Sequence, residues 1–448
     1  MTNIDYQSTL AVAFKALSRE CSRLFSLFGA DDGDSPLVIP VTTSTRFYQV
    51  KKVPFKKRSD LSGTDALLYG KSSDAGLDAK RWFVSGEYQS LGVPGIEGSM
   101  RAVPGNTEQY EVTLTINSPE NLSAVENSVF DLFRQNAEAQ KKVVVFNPKP
   151  FHDLAGSGKV FCFNPSYGGA KLFTADEEAD VLCRLFSRAA VDTMAKYSSL
   201  IKFSALSVDN TRRLNSDSTE PVYTIDENGF SYYGCGADVN TDLFLVIFFT
   251  AFADCLSDLS ARLEHSSDIY AEANAILSST PGAVKDNIRS VDATALRRNI
   301  PLFNKYVVLP PDKVKELSDD IVGRYVTQSK QETELMLDLC WRTLLPEIND
   351  YSGVLANNAV AKKALLEDID CGYESAICSK IAAFTRLATN NANVLEQYVS
   401  QANDMIADGK INECAEFFAN EVSVSADDLL YVFDELEGYL PPKRWPAL

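Results

Sequence analysis

Residues 243–252 read LFLVIFFTAF, the most apolar run in the 448-residue chain, closed by Asp242 before it and Asp254 after it. The run shows neither the period of a half-exposed helix nor strict alternation, so it predicts a helix or strand buried on every side. Its length falls short of the roughly 18–20 residues that span a bilayer, and no membrane is expected as a partner. Everything else must pack around this element. Upstream, VYTI at 222–225 and FSYY at 230–233 flank Asn228-Gly229 and predict a hairpin, because these residues accept the positive φ of a tight turn. Before that, Thr174-x-x-Glu177 reads as a capping box ahead of an amphipathic helix reaching about residue 197. LVIP at 37–40, RFYQVKKV at 46–53, RWFV at 81–84, QYEVTLTI at 109–116, VVVF at 143–146 and KVFCF at 159–163 predict short strands on long Pro- and Gly-rich loops. Leu10, Phe14, Leu17, Cys21, Leu24 and Phe25 recur at steps of three and four and predict a first helix over 7–28, and Ser118-Pro119 opens a second to about 136.

Downstream the strand signals almost vanish. Helical patterns succeed one another at 312–328, 331–345, 354–367, 373–388, 391–408, 411–420 and 426–439, with Ser425-x-x-Asp428 capping the last. The expected fold class is therefore α+β, with a mixed region of short strands and long loops over 1–291 and a mainly helical region over 292–448. The join falls near STPGAVKDN at 279–287 and is finished before the LPP at 309–311.

Composition narrows the function classes. The net charge of −18 argues against a protein that coats nucleic acid, which needs a basic face to neutralise phosphates. Only His152 and His265 occur, so most histidine acid/base chemistry and most histidine metal sites lack their residues. Nine cysteines at irregular spacing, with no C-x-x-C, predict free buried thiols in a reducing compartment, and no metal or cofactor is expected. The N-terminal stretch has an early acidic residue and a helical apolar stripe where a secretory signal would start basic and run continuously apolar. From Asp292 onward there are 25 acidic and 15 basic residues, and between Lys410 and Lys443 no basic residue occurs. That stretch is expected to face water or a basic partner.

Candidate sites are few. Ala155-Gly-Ser-Gly-Lys159 is similar to the end of a phosphate-binding loop, but Asp153 stands where the first glycine belongs and Val160 where a Ser or Thr would hold magnesium. A turn between strands is the better expectation. No nucleophile elbow G-x-S-x-G occurs, and Asp31-Asp-Gly-Asp34 lacks calcium-loop spacing. Lys51, Lys52, Lys56, Lys57 and Arg58, in KKVPFKKRSD, form the one dense basic cluster. Three readings of it stand side by side: a solvated edge strand protected by Lys and Pro54, a patch for an acidic protein surface, or a nucleic-acid contact.

The whole chain, from its opening MTNIDYQSTL to its closing PPKRWPAL, resembles the large protrusion proteins of cypoviruses, counterparts of the clamp proteins on the inner shell of turreted reoviruses. GADVNTDLFLVIFFTAFADCL at 236–256, and AILSSTPG followed by RRNIPLF within 275–303, are similar to the orthoreovirus clamp protein. The resemblance implies a non-enzymatic capsid component present in many copies per virion, made in the host cytoplasm. It would sit on the outside of the shell formed by the major inner capsid protein, with the turret protein as a further candidate contact, and stabilise a particle around double-stranded RNA. It implies no direct nucleic-acid binding and carries no catalytic residue across. The 1–291 region would then anchor the chain through its loops and basic cluster, with the acidic helical region projecting outward. Two other classes compete: an enzyme using a carboxylate pair or a phosphate nest in the mixed region, and a nucleoprotein or shell-forming capsid protein.

Overall fold

A computed structural model describes residues 4–29, 37–52, 69–70, 97–103, 109–117, 119–148, 156–176, 178–208, 210, 213–214, 222–226, 228–281 and 291–441. The fold is α+β, an antiparallel sheet with helices in the first part and helices alone in the last. By compactness the chain divides into Met1–Ile288 with Thr294–Ser318, and Arg289–Ala293 with Asp319–Leu448. The sequence reading places its own boundary at 291/292.

In the first unit α1 (Tyr6–Leu27) is followed by β1 (Val41–Lys52), β2 (Tyr69–Gly70), β3 (Glu97–Ala102) and β4 (Gln109–Ile116). A short 3₁₀ turn then leads into α2 (Leu122–Ala139), β5 (Lys142–Val145) and β6 (Gly158–Phe163). After the small pair β7 (Ser166–Tyr167) and β8 (Ala170–Lys171) come α3 (Val181–Phe203), the hairpin β9 (Tyr223–Asp226) and β10 (Gly229–Gly236), α4 (Thr241–Glu264) and α5 (Ile269–Ser278). Two short helices, α6 (Ala295–Arg298) and α7 (Ile300–Lys305), complete the unit before α8 (Pro311–Leu339) begins. The sheet runs β3-β4-β1-β6-β10-β9, and β2 and β5 pair with the far end of β1. β1 is the spine of this sheet: its first half lies between β4 and β6, its last residues beside β5 and β2.

The apolar run is the centre of α4. Asn240 starts that helix by accepting from the Leu243 N–H at 2.9 Å. α1 and α3 pack along α4, and the sheet covers its Phe face. Phe244 stacks on Phe161 at 4.0 Å and Phe248 on Phe163 at 4.5 Å. Phe252 meets Phe186 of α3 at 5.1 Å, and Phe249 meets Phe14 of α1 at 5.9 Å. Protein on all sides explains why the run lacks a helical period. With its flanks the helix reaches 24 residues, long enough to cross a bilayer, but 94% of its most apolar window is buried inside the fold. The hairpin forms as expected, and its positive φ falls on Gly229 (+121°), where a Cβ would lie 2.3 Å from the Phe163 carbonyl oxygen.

Some local signals are overruled. The helix expected after Thr174 begins at Val181, capped by Asp180, which accepts from the Leu182 N–H at 2.8 Å. Thr174 instead closes a turn with the Asp176 N–H, and Glu177 lies outside the described residues. LVIP makes a single bridge, Val38 to Ser166, rather than a strand. RWFV at 81–84 lies outside the described residues.

The helical patterns merge. α8 passes through a π turn at Cys340–Leu344 into α9 (Leu345–Leu365) without a break. Pro346 has no N–H for the Arg342 carbonyl, and the helix widens there, Leu345 N–H donating to Cys340 O. α10 (Gly372–Ala407) is one helix across Thr389-Asn-Asn391, polar residues whose propensity deficit is only tenths of a kcal/mol each. α11 (Ile411–Phe417) continues through a second π turn, Phe418–Val422, into α12 (Ser423–Glu437), so Ser425 sits inside a helix and caps nothing.

Candidate functional site: charged clusters and exposed surfaces

Lys51 and Lys52 end β1, where Lys51 has a strand on each side and Lys52 pairs on the β2 side alone. Lys52 pairs with Tyr69 and Lys51 with Gly70 of β2, while β5 sets Lys142 opposite Lys51 on the other side. The edge-strand reading of this cluster is thereby corrected for Lys51 alone. Lys56, Lys57 and Arg58 lie outside the described residues. The sequence reading missed Lys141 and Lys142, which the turn before β5 brings to the same corner, Lys141 at a positive φ of 59° and exposed. The register sets Lys142 opposite Lys51, and Lys141 and Lys52 flank that pair in sequence.

The two glycines of the phosphate-loop-like stretch have another explanation. A Cβ at Gly156 would lie 2.4 Å from Arg213 Cγ, and one at Gly158 would lie 3.1 Å from Arg213 Nη1. They make room for a buried arginine whose Nη2 donates to the carbonyls of Tyr233 and Cys235. Lys159 is not in a turn: it belongs to β6, and there it alternates with Phe161 and Phe163 on the face toward the helices. Its Nζ lies 3.0 Å from Glu126 Oε2 of α2 and donates to Thr241 Oγ1 at 2.8 Å, and Thr241 donates to the same carboxylate oxygen at 2.6 Å. A lysine held this way cannot reach a phosphate.

A second cluster centres on Asp254, where the apolar run of α4 ends. Its carboxylate accepts from Lys305 at 2.6 Å, Lys196 at 2.8 Å and the Tyr197 hydroxyl at 2.5 Å, and Lys196 also reaches Asp258 at 2.8 Å. Burial alone would raise the Asp254 carboxyl, but hydrogen bonds from Lys196, Lys305 and Tyr197 more than offset it and hold the group below the usual carboxylate range. Burial pushes the Tyr197 phenol up, and its bond to Asp254 pushes it further. Around neutral pH, then, the carboxylate is ionised and the phenol protonated, and the cluster ties α3, α4 and α7 together. Because the folded pKa is depressed, this stability is full above about pH 4, the unfolded value, and is lost as pH falls through the folded one. Asp254→Asn is expected to cost about 1–3 kcal/mol near neutral pH and to flatten the acid limb of a urea-denaturation series. An unchanged acid limb would exclude Asp254 as its source.

Burial pushes the thiols of Cys21, Cys235, Cys255 and Cys340 up, which keeps them protonated near neutral pH. His265 ends α4, exposed, with Nδ1 2.7 Å from the Ala261 carbonyl, and His152 lies outside the described residues. Among the described residues no group of three or more His, Cys, Asp or Glu is placed to hold a metal ion. The carboxylates of the acidic C-terminal stretch, from Glu413 to Glu437, are exposed or half-buried, none of them buried.

No family model matches the chain, and no curated protein matches it. A solved structure described as "Apo GmaS without ligand" is similar over 68% of this chain and 73% of its own, at 16% identity and a TM-score of 0.43. A likeness at that level carries no inference about fold or activity.

Proposed function

We propose that the chain is a non-enzymatic structural protein of a double-stranded RNA virus, of the cypovirus large-protrusion and turreted-reovirus clamp kind. It sits on the outside of an icosahedral inner shell, clamps adjacent copies of the shell protein, and contributes to the virion in many copies. The resemblance of the whole chain suggests this reading. The observation that supports it is the register that sets Lys142 of β5 opposite Lys51 of β1, next in sequence to Lys141 and Lys52, in a chain of net charge −18. Such a pairing of lysine positions would offer an otherwise acidic protein a cationic contact, and repetition by symmetry multiplies a modest contact into stable attachment.

The test is sedimentation of the purified protein with shell particles lacking it. The wild-type protein should stay small alone and co-sediment with the shell. Lys51→Glu, Lys52→Glu and Lys142→Glu together should lower the bound fraction at least tenfold. Unchanged binding removes the corner from the interface, and failure of the wild-type protein to bind removes the capsid reading.

A further inference from the structure

The turn between α9 and α10 in the second unit is exposed in an unusual way. Leu355 is the last buried residue of α9, and from Ala356 to Asp370 no side chain is buried. Yet this stretch and the second residue of α10 carry large apolar groups: Val360 is 70% exposed, Leu365 82%, Leu366 65% and Tyr373 66%. Single exposed apolar residues are ordinary, but several of them around one turn mark a contact surface. The two helix ends are held together beneath it. Lys362 donates to the buried Glu374 at 2.5 Å, and the thiols of Cys371 and Cys378 donate to the carbonyls of Ala359 and Ser352. The apolar groups are thus presented by a braced turn, which lowers the entropy cost of binding.

Charge limits what can cover them. Glu367, Asp368 and Asp370 sit between Leu366 and Tyr373, exposed, against one exposed lysine, Lys363. No ion pair of the described residues involves Glu367, Asp368 or Asp370. Two such turns facing each other would oppose their own carboxylates, and an anionic membrane surface would repel them. A cationic protein surface would not.

We propose that this turn is a docking knob and that its occupant is a protein surface with an apolar centre flanked by lysines or arginines. The identity of that protein as the shell subunit rests on the capsid reading.

Two probes test it with the full-length protein: shell particles, and a labelled helical peptide made only of leucine and lysine. Two variants, Leu365→Ser/Leu366→Ser/Tyr373→Ser and Glu367→Lys/Asp368→Lys, are compared with a charge-matched control, Glu413→Lys/Asp428→Lys. All these positions are exposed, so thermal melts of the variants should overlay the wild-type curve. Both knob variants should weaken peptide and shell binding at least tenfold, and the control should not. Equal peptide binding by wild type and knob variants overturns the knob. If the knob variants lose the peptide but the wild-type protein ignores the shell, the knob stands and the capsid reading falls. If the shell is bound equally by all, the capsid reading stands and the shell is not the occupant. A wild-type dimer in sedimentation velocity that the serine variant dissolves assigns the turn to a second copy and overturns the proposal.

Discussion

Lys159→Met, in an otherwise unchanged chain, should lose about 3–5 kcal/mol of stability, measured as a fall in urea midpoint at constant slope. The loss comes from what stays behind. Glu126 is buried with Lys159, and its second oxygen, Oε1, already has no hydrogen-bond partner. Removing the ammonium leaves a carboxylate in an apolar wall with only the Thr241 hydroxyl for company. The double variant Glu126→Leu/Lys159→Met should recover most of the loss, because an apolar pair of similar volume carries no desolvation penalty. Phe161 and Phe130 flank the site and would receive it, the lysine Nζ lying 6.0 and 5.8 Å from their ring centres. A single variant within about 1 kcal/mol of wild type would show that water reaches the pair.

Phe248→Ala is the second large effect, at about 3–5 kcal/mol. Its ring stacks on Phe163 at 4.5 Å and Phe230 at 5.0 Å, from two neighbouring strands, and stands 6.0 Å from both Phe244 and Phe252 on its own helix. These rings are fixed by a strand register on one side and a helix on the other, so the site cannot collapse to fill the space. Phe248→Leu should cost clearly less, since it keeps most of the volume. Equal losses for the two variants would mean that ring geometry, not filled volume, sets the energy.

These two residues mark the limits of what was legible in sequence. The apolar run announced a buried element, and its length and flanks left helix or strand open. Only the caps at Asn240 and His265, and neighbours on every face, decide for a 24-residue helix. β4 appears at 109–116 with the bounds its alternation predicts, and α1 within a residue of its periodic stripe, because those patterns are local. Lys159 shows the failure. A lysine after Gly-Ser-Gly looks like a turn residue, and nothing near it in sequence reveals that Glu126, 33 positions earlier, and Thr241, 82 later, wait on the same face. Nor do the two glycines disclose Arg213. The Asp254 cluster was missed for the same reason, its lysines lying 58 and 51 residues away.

In the helical region the direction of error reverses. Polar interruptions and Pro346 look like breaks, yet the chain runs on as α8 to α9, α10, and α11 to α12, because packing along a long helix outweighs deficits of tenths of a kcal/mol and a π turn absorbs the proline.

The sequence by itself determined the class of the fold, the acidity of the helical part and the scarcity of histidine, since composition and short-range periodicity act through local physics. The tertiary structure decided which charges meet. It buried Lys159 on Glu126, brought Lys142 to Lys51, and left Leu365, Leu366 and Tyr373 in water beside three carboxylates. Those outcomes depend on strand register and helix termini, where a shift of one residue turns a side chain from core to solvent.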